Sequence, residues 1–359
     1  MQGHDIIVIG ASAGGVEVLI DVVRDLPADL PAAVFVVVHM AANAPTVLPS
    51  VLNRSGKLPA AHGSHDEPIR RGRIYVARPD VHLLMRGDRI VLGRGPKENS
   101  ARPAVDVLFR SAARSYGSRV IGVVLSGSLD DGTVGLDVIK RAGGIAVVQD
   151  PEQAMFPGMP RSAVENVAVD HVVPREQIAS LLARLAHEPV KEAEVRMPEH
   201  IKQESDMAEL VEESIKSHER PGTPSGFTCP ECHGTLFELS QGHIIRFRCR
   251  TGHAYSAESL IGQQGDNLEA AMYTAMTTLK ERSALAERLA QRARDRGHEM
   301  TARQFAEQAQ DAERQAALIR QALLSARTGP QSGPVPSDGN GEDDARASNA
   351  FRQGIKEAG

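Results

Sequence analysis

The sequence lacks tryptophan and any excess of basic residues. Its aromatic residues are 8 Phe and 4 Tyr among 359 residues, and 41 Lys and Arg stand against 46 Asp and Glu, for a net charge of −5. Proteins that bind nucleic acid need a basic domain or stripe, and those that bind single strands stack the bases on aromatic side chains. The composition therefore argues against nucleic acid as a partner.

Long hydrophobic runs and a secretion signal are also missing. The longest apolar stretches, such as residues 6–9 and 32–38, are much shorter than the ~20 residues that a membrane-spanning helix requires. The N-terminus, MQGHD, has neither the basic segment nor the apolar segment of a signal peptide. We therefore expect no membrane insertion and a cytoplasmic location.

Cysteine is absent from residues 1–228, and the three cysteines of the chain lie at positions 229, 232 and 249. An odd, clustered set makes a poor disulfide framework and indicates metal binding in a reducing compartment. The length is sufficient for two domains, at roughly 150 residues for each domain.

Residues 1–187 alternate between short β-branched runs and amphipathic helical patterns. Continuous apolar runs, which are typical of strands covered on both faces, lie at residues 5–10, 34–38, 120–125 and 145–148. Helical patterns lie between them, at residues 16–26, 105–116 and 133–142. This alternation predicts a doubly wound α/β fold with a mostly parallel sheet. Gly87-Asp88, within residues 73–92, predicts an antiparallel hairpin attached to that sheet.

The remainder of the chain is predicted to form a charged linker at 188–226, a metal-binding module at 227–265, a helical hairpin at 266–327 and a disordered tail at 328–359. The linker carries a helical pattern at 206–217, and the module a hairpin that turns at 240–242. The helical hairpin turns at 296–298. Its narrow, Ala-rich stripe favours packing or dimerisation, with a second copy or a regulatory partner, over a cofactor site.

A serine follows the first predicted strand, in Gly10-Ala-Ser-Ala-Gly-Gly15. Ser12 is thus predicted at the carboxyl edge of the sheet, where open α/β folds hold their sites and helix-start N–H groups can stabilise an oxyanion. The pattern is one residue away from the dinucleotide fingerprint, but no acidic residue follows the second strand to bind a ribose, so a dehydrogenase is a distant alternative. Taken alone, Ser12 is explained by a tight turn.

Two further polar groups follow predicted strands. His39 ends the second strand, and Asp130 and Asp131 lie in a loop after residue 125. Each has a simpler explanation, since a buried histidine can be hydrogen-bonded in the core and an aspartate can cap a helix. Parallel strands nevertheless end at the same edge of a sheet, so serine, histidine and aspartate can there supply a nucleophile, a base and a group that orients the base.

The chain resembles the catalytic domain of the chemotaxis protein-glutamate methylesterases over residues 5–185, with the order and spacing of the motifs kept. The blocks that carry the resemblance are Gly10-Ala-Ser-Ala-Gly-Gly15, Val38-His39-Met40, Arg102-Pro-Ala-Val-Asp-Val-Leu-Phe109, Ser126-Gly-Ser-Leu-Asp-Asp-Gly132 and Phe156-Pro-Gly-Met-Pro-Arg161. The resemblance implies hydrolysis of glutamate γ-methyl esters on methylated chemoreceptors or related signalling proteins. Methanol is the product, and deamidation of receptor glutamines is a second implied activity.

The resemblance also implies roles for individual residues, with no cofactor for catalysis. Ser12 matches the nucleophile, His39 the general base and later acid, and Asp131 the residue that orients His39; Asp130 is then a neighbour or a cap. The chain departs from the family at Ala13, where Thr is common, and at Ser128-Leu129, where Met-Gly is common. Because the chain begins with the catalytic strand, we expect it to lack the phosphorylatable receiver domain and activation by phosphorylation in cis.

The cysteines belong to a metal-ligand pattern, Cys229-x2-Cys232 followed by Cys249-x3-His253. Thiolates and imidazole at this spacing suit tetrahedral Zn²⁺, and four protein ligands indicate a structural ion. His233 and His243 are alternative ligands. Residues 227–265, which include Phe247-Arg-Cys-Arg-Thr-Gly-His-Ala-Tyr-Ser256, resemble the C-terminal extension of stand-alone methylesterase homologues.

We expect the metal-binding module and the helical hairpin to bind a partner or to regulate access to Ser12. A different class of function remains compatible with the sequence, namely a signalling scaffold that binds a receptor or a kinase without turnover. Release of methanol from a methylated receptor distinguishes the two interpretations.

Overall fold

A computed structural model describes residues 3–44, 47–190, 199–209, 222–241 and 244–326. The chain divides into two compact units, residues 1–267 and 268–359. The elements of the sheet domain (residues 3–190) are, in chain order, β1 (Ile6–Ala11), α1 (Gly15–Asp25), β2 (Ala33–Val38), α2 (Leu48–Ser55), β3 (Ala60–His62), β4 (Arg73–Val76), β5 (His82–Arg86), β6 (Arg89–Gly93), α3 (Val105–Tyr116), β7 (Val120–Val124), α4 (Thr133–Arg141), β8 (Ile145–Gln149), α5 (Gly158–Asn166), β9 (His171–Val173) and α6 (Arg175–His187). They are followed by α7 (Glu199–Ala208), β10 (Thr223–Thr228), β11 (Thr235–Gln241), β12 (Ile244–Cys249), β13 (Ala254–Ser256), α8 (Ala257–Asp295) and α9 (Glu299–Ala326).

The sheet domain is built on a parallel sheet with the strand order β3-β4-β2-β1-β7-β8-β9. Every residue of β1, β2 and β7 is buried, as expected for apolar strands that helices cover on both faces. Ile7 and Ile9 of β1 belong to the core shared with α1 and α6, whereas Ile6 and Val8 belong to the core shared with α3 and α4. The predicted α/β fold is therefore confirmed. The strand order reverses between β1 and β7, where such folds open a crevice.

The hairpin predicted within residues 73–92 is present, but it lies outside the main sheet. β5 and β6 pair antiparallel around Gly87 (φ 57°) and form a separate two-stranded sheet. This sheet packs on α3, where the Ser111 hydroxyl accepts the Met85 N–H at 3.2 Å. β4 instead pairs in parallel with β2 and β3. The predicted attachment of the hairpin to the main sheet is therefore wrong, because β3 occupies the edge beside β4.

The segment 188–226, predicted to be a charged linker, contains the helix α7. Ile201 and Ala208 are buried, and Asp206 pairs with Arg114 of α3 at 2.6 Å. Glu204 is buried as well and pairs with Arg246 of β12 at 2.9 Å. The charged composition of the segment suggested a solvated linker, but α7 buries Glu204 and arginines neutralise its charge. The helical pattern predicted at 206–217 overlaps the end of α7, and residues 210–221 lie outside the described part.

The predicted metal-binding module (residues 227–265, called the Cys/His module below) is centred on a second sheet. β10, β11, β12 and β13 form this four-stranded antiparallel sheet. The predicted hairpin is the β11–β12 pair. Its turn was predicted at 240–242, but residues 240 and 241 still pair within β11, and residues 242 and 243 lie outside the described residues. A small apolar cluster underlies the sheet and consists of Cys229, Leu236, Phe247, Cys249, Tyr255 and Leu260.

In the second unit, the last part of α8 and the whole of α9 make the predicted helical pair. The chain turns at residues 296–298, where Gly297 has φ 74°. The Ala-rich stripe is buried at Ala290, Ala309 and Ala316, and Ser283 donates a hydrogen bond to the Ala309 carbonyl at 3.0 Å. α8 begins at Ala257, within the Cys/His module. The predicted tail at 328–359 lies outside the described residues, and no helix in the described ranges is long and apolar enough to cross a membrane.

Candidate active site and metal centre

Ser12 lies directly after β1, in a turn that is packed tightly against the loop after β7. Its N–H donates to the Ser126 carbonyl at 3.0 Å, and its own carbonyl accepts the Gly15 N–H at 3.1 Å. Gly14 has φ 67°, in the left-handed region that favours glycine. A Cβ atom at Gly127 would lie 2.8 Å from the Ser12 Cβ. The glycines thus let the two loops approach each other and hold Ser12 at the start of α1.

His39 follows β2 and reaches the buried Asp131. Ala11 and Val38 are register partners in the β1–β2 pair, so Ser12 and His39 follow neighbouring strands at the same level. His39 Nε2 lies 2.7 Å from Asp131 Oδ2, and the two side chains are 20% and 2% exposed. Because Nε2 faces the carboxylate, Nδ1 is the ring nitrogen that remains for proton exchange. The structure therefore brings together the predicted base and the predicted orienting carboxylate.

Asp131 is surrounded by hydrogen-bond donors. In addition to His39, it accepts the N–H groups of Val105 (2.7 Å) and Asp106 (3.2 Å) at the start of α3, and the Asn99 side-chain amide at 3.0 Å. Burial by itself would raise the pKa of Asp131, but the hydrogen bonds from His39, Val105 and Asn99 and the charge of His39 together lower it below the usual value. The carboxylate therefore stays ionised and can hold the imidazole in one orientation.

Asp106 and Asp131 support the starts of each other's helices. Asp131 lies before α4 and accepts N–H groups of α3, whereas Asp106 of α3 accepts the Gly132 (3.1 Å) and Gly135 (2.6 Å) N–H groups at the start of α4. Burial, followed by the negative charge of Asp131, raises the pKa of Asp106. The Asn99 amide donates to both carboxylates, at 3.1 Å and 3.0 Å.

Asn99 and Asp106 are supporting residues that the sequence analysis missed. An acidic residue in the first turn of a predicted helix is a signal that could have pointed to Asp106. No comparable signal marks Asn99, which lies in an irregular loop.

Asp130 has a different environment from its neighbour Asp131. Its carboxylate accepts the hydroxyl groups of Ser256 (2.7 Å) and Ser259 (2.9 Å), both in the Cys/His module. Burial raises the pKa of Asp130, and the two serine hydrogen bonds offset part of this rise. Asp130 is thus a neighbour of the His39–Asp131 pair, and its side chain is engaged by the Cys/His module.

A cavity of about 520 Å³ opens beside His39. Its wall includes two cations that carboxylates hold in place: Arg102 pairs with Asp80 at 2.6 Å, and Lys97 pairs with Glu231 at 2.9 Å. Glu231 lies between two of the predicted metal ligands. The cavity is large enough to admit an extended side chain to His39.

The ligand atoms of Cys229, Cys232, Cys249 and His253 all lie within 4.8 Å of one another. His253 Nδ1 is 3.7 Å from Cys229 Sγ and 3.5 Å from Cys249 Sγ, and Cys232 Sγ is 3.6 Å from Cys249 Sγ. A tetrahedral zinc site with bonds of 2.0–2.3 Å has ligand–ligand edges of about 3.5–3.8 Å. The donor set therefore fits the ion. Among the described residues, His233 is not in this group, and His243 lies outside them.

The sheet domain also matches known proteins in sequence. Residues 7–182 match the model of the CheB methylesterase family. A putative protein-glutamate methylesterase/protein-glutamine glutaminase of Leptospira interrogans is 38% identical over 185 residues, which are 51% of this chain and 96% of that protein. The chain belongs to the CheB methylesterase family. This membership confirms the predicted enzyme class, a carboxylic ester hydrolase.

A longer relative and a solved structure also match the sheet domain. Protein-glutamate methylesterase/protein-glutamine glutaminase 1 of Rhodospirillum rubrum is 38% identical over 189 residues, 51% of this chain and 49% of that protein. The chain also matches the crystal structure of the Thermotoga maritima CheB methylesterase catalytic domain. The match covers 52% of this chain and 100% of that domain, at 33% identity and a TM-score of 0.49. The family match ends before α7, so the Cys/His module and the helical pair lie outside it.

Proposed function

We propose that the chain is a protein-glutamate methylesterase that acts on methylated chemoreceptors or related signalling proteins. The observation that carries the proposal is the contact of 2.7 Å between His39 and the buried Asp131, at the edge of the sheet where Ser12 lies. Family membership supports the reaction class. The substrate would present a glutamate side chain whose γ-carboxylate is esterified with methanol.

In the proposed reaction, Asp131 holds the imidazole through the proton on Nε2. Nδ1 of His39 accepts the proton of the Ser12 hydroxyl while the Ser12 oxygen attacks the ester carbonyl. N–H groups near the start of α1 stabilise the negative oxygen that forms. His39 then returns the proton to the leaving methoxide, so that methanol departs and a glutamyl ester of Ser12 remains.

Water completes the proposed reaction in a second attack of the same kind. His39 takes a proton from the water molecule, the ester to Ser12 breaks, and the glutamate carboxylate is released as the Ser12 hydroxyl is restored. A glutamine carboxamide attacked in the same way would release ammonia. We therefore include glutamine deamidation as a second activity of the same residues.

Methanol release from a γ-methylglutamyl receptor fragment tests the proposal. Ser12→Ala is expected to lower kcat by ~10⁴-fold or more, because the nucleophile is lost. Ser64→Ala is the matched control, since it removes an exposed serine hydroxyl elsewhere in the sheet domain. A folded Ser12→Ala variant with normal turnover would refute the role of Ser12. A wild-type chain that binds the fragment but releases no methanol would favour the scaffold interpretation.

We also propose that Cys229, Cys232, Cys249 and His253 bind one structural Zn²⁺. The spacing of their donor atoms supports this assignment, and four protein ligands leave no position for a substrate. Elemental analysis of the purified chain is expected to give one zinc ion per chain. A metal-free chain with a native fold would contradict the assignment.

A further inference from the structure

We infer that the Cys/His module holds the His39–Asp131 pair in its working orientation, with Asn99 as the positioning residue that links them. The catalytic role of these contacts rests on the proposed esterase function, but the contacts themselves are present in the structure whatever the reaction is. They occur at Asn99, at Asp130 and in a cluster of buried charges.

Asn99 connects β13 of the Cys/His module to Asp131. The Ser256 N–H donates to the Asn99 side-chain oxygen at 3.0 Å, and the Asn99 N–H donates to the Ala254 carbonyl at 2.8 Å. These bonds leave the Asn99 amide nitrogen facing the carboxylates of Asp131 and Asp106. The orientation of the amide is therefore determined by its partners, because only its oxygen can accept an N–H and only its nitrogen can donate to carboxylates.

Asp130 provides the second connection, at the residue directly before Asp131. Ser256 donates its hydroxyl proton to Asp130 at 2.7 Å and accepts the Ser259 N–H at 3.0 Å, so that it also caps the start of α8. Ser259 donates its own hydroxyl to the same Asp130 oxygen at 2.9 Å. The loop that carries Asp131 is thereby attached to the first turn of α8.

The third connection is a cluster of buried ion pairs beside Asn99. Glu98 pairs with Arg110 of α3 at 2.7 Å and with Arg248 of β12 at 3.1 Å. Glu204 of α7 pairs with Arg246 at 2.9 Å and with Arg110 at 3.3 Å. The exposure of these side chains is at most 4%. Ion pairs in such a dry environment allow few alternative arrangements, because any displacement leaves a charge without its partner.

These connections act on the reaction through the orientation of Asp131. The Asn99 amide prevents the Asp131 carboxylate from rotating away from His39, since that rotation would break the hydrogen bond from Asn99 to Asp131 Oδ1. Loss of a supporting group one contact away from a reacting residue typically costs ~10–100-fold in activity. We expect this cost to appear in kcat, while KM for the ester changes less than about twofold, because Asn99 acts through Asp131.

Two variants of the full chain test the inference. Asn99→Gly removes the amide without straining the backbone, because Asn99 has φ 49°. Its control is Asp66→Gly, which also places glycine at a left-handed position (φ 64°) but on the exposed surface. Ser256→Ala removes the hydroxyl that binds Asp130, and its control is Ser283→Ala, which removes a buried serine hydroxyl from the helical pair.

Two readouts are used, kcat for the methyl ester and the proton resonance of His39 Nε2 in the NMR spectrum. The hydrogen bond to Asp131 should protect this proton from exchange with water in the wild-type chain. We expect both test variants to lower kcat, by ~10–100-fold for Asn99→Gly and by less for Ser256→Ala, and to speed the exchange of this proton. Both controls should leave kcat and the resonance unchanged.

The outcomes separate this inference from the proposed function. Folded test variants with wild-type kcat and an unchanged resonance would overturn the inference and leave the esterase assignment intact. If the wild-type chain hydrolyses no ester, the esterase assignment fails, and the resonance still reports whether the Cys/His module orients the pair. Equal losses in test and control variants would show a general effect on stability and would also overturn the inference.

Discussion

The core of the sheet domain and the contact between that domain and the Cys/His module are buried to a similar degree but differ in chemistry. The core strands bury apolar side chains such as Val8, Phe35 and Val123, which are fully buried. At the contact with the module, Arg110 and Glu204 are buried almost as completely. Apolar packing tolerates volume-conserving replacement, whereas a buried charge requires its own partner. The core thus stabilises the fold, and we expect the charged contact to specify one position for the module.

The largest expected effect comes from breaking the charged contact at its centre. Arg110→Met removes the arginine that Glu98 and Glu204 share and leaves each glutamate with arginines of β12 only, and we expect it to lower the free energy of unfolding by about 3–5 kcal/mol. Arg114→Met on the same helix removes a pair with Asp206 that is about one-third exposed (32% and 26%), with an expected cost of at most ~1 kcal/mol. Denaturation in urea measures both losses, and equal values would refute the difference between the buried and the partly exposed pair.

Loss of the proposed zinc site tests whether the structure of the Cys/His module depends on a metal as well as on its contacts with the sheet domain. Its apolar cluster is small, so we expect Cys249→Ser to abolish zinc binding and to speed amide hydrogen exchange in β11 and β12 by at least ~30-fold, the equivalent of ~2 kcal/mol. The exchange rates of amides in β1 and β7 should change much less, because the sheet domain has its own core. Unchanged protection in β12 would show that docking alone maintains the module.

A conservative change in the apolar core should have a smaller effect. Ile9 of β1 is fully buried, and Ile9→Val removes one methylene group while leaving no polar group without a partner. We expect a loss of ~0.5–1.5 kcal/mol in the free energy of unfolding, without a change in kcat. A loss as large as that of Arg110→Met would contradict the proposed tolerance of the core.

The smallest effect is expected at Asp5, a buried carboxylate whose two arginine partners are partly exposed. Arg71 and Arg119, with 54% and 27% exposure, both pair with its carboxylate. Burial would raise the pKa of Asp5, but the hydrogen bonds from Arg119 and Arg71 lower it below the value of ~3.9 in an unfolded chain. Its contribution to stability is therefore present above pH ~4 and is lost as the pH falls through the lower pKa of the folded state.

We expect Asp5→Asn to cost less than ~1 kcal/mol at pH 7 and to make stability less dependent on pH below pH 4. Urea midpoints at pH 7 and pH 3 measure both quantities. The idea fails if the variant loses as much stability on acidification as the wild-type chain.

Local sequence patterns predicted much of the sheet domain. The β-branched runs of β1, β2, β7 and β8 identified buried strands because such strands need no polar face. Because parallel strands end at one edge of a sheet, Ser12 and His39 were predicted to follow neighbouring strands. In the structure they follow β1 and β2, and His39 contacts Asp131. The strands β3 and β9 were missed because they have three residues each, which is too short for a periodic pattern to be recognised.

The contacts made by the Cys/His module could not be predicted in the same way. Glu98 and Arg248 are 150 residues apart, and no local pattern connects them. Charged residues in irregular or linker-like segments are usually solvated, so Glu204 appeared to belong to a linker. Asn99 and Asp106 were missed because their role depends on tertiary neighbours, which periodicity and spacing do not report.

The bond between Asn99 and Ser256 joins residues that are 157 positions apart. A chain emerges from the ribosome N-terminus first, and domains generally fold as they emerge. The seven strands of the parallel sheet are therefore complete well before Ser256 has been synthesised. During that interval a newly made chain possesses Ser12, His39 and Asp131 but lacks the bond that orients Asn99, so this site reaches its final arrangement only after Ser256 has been synthesised.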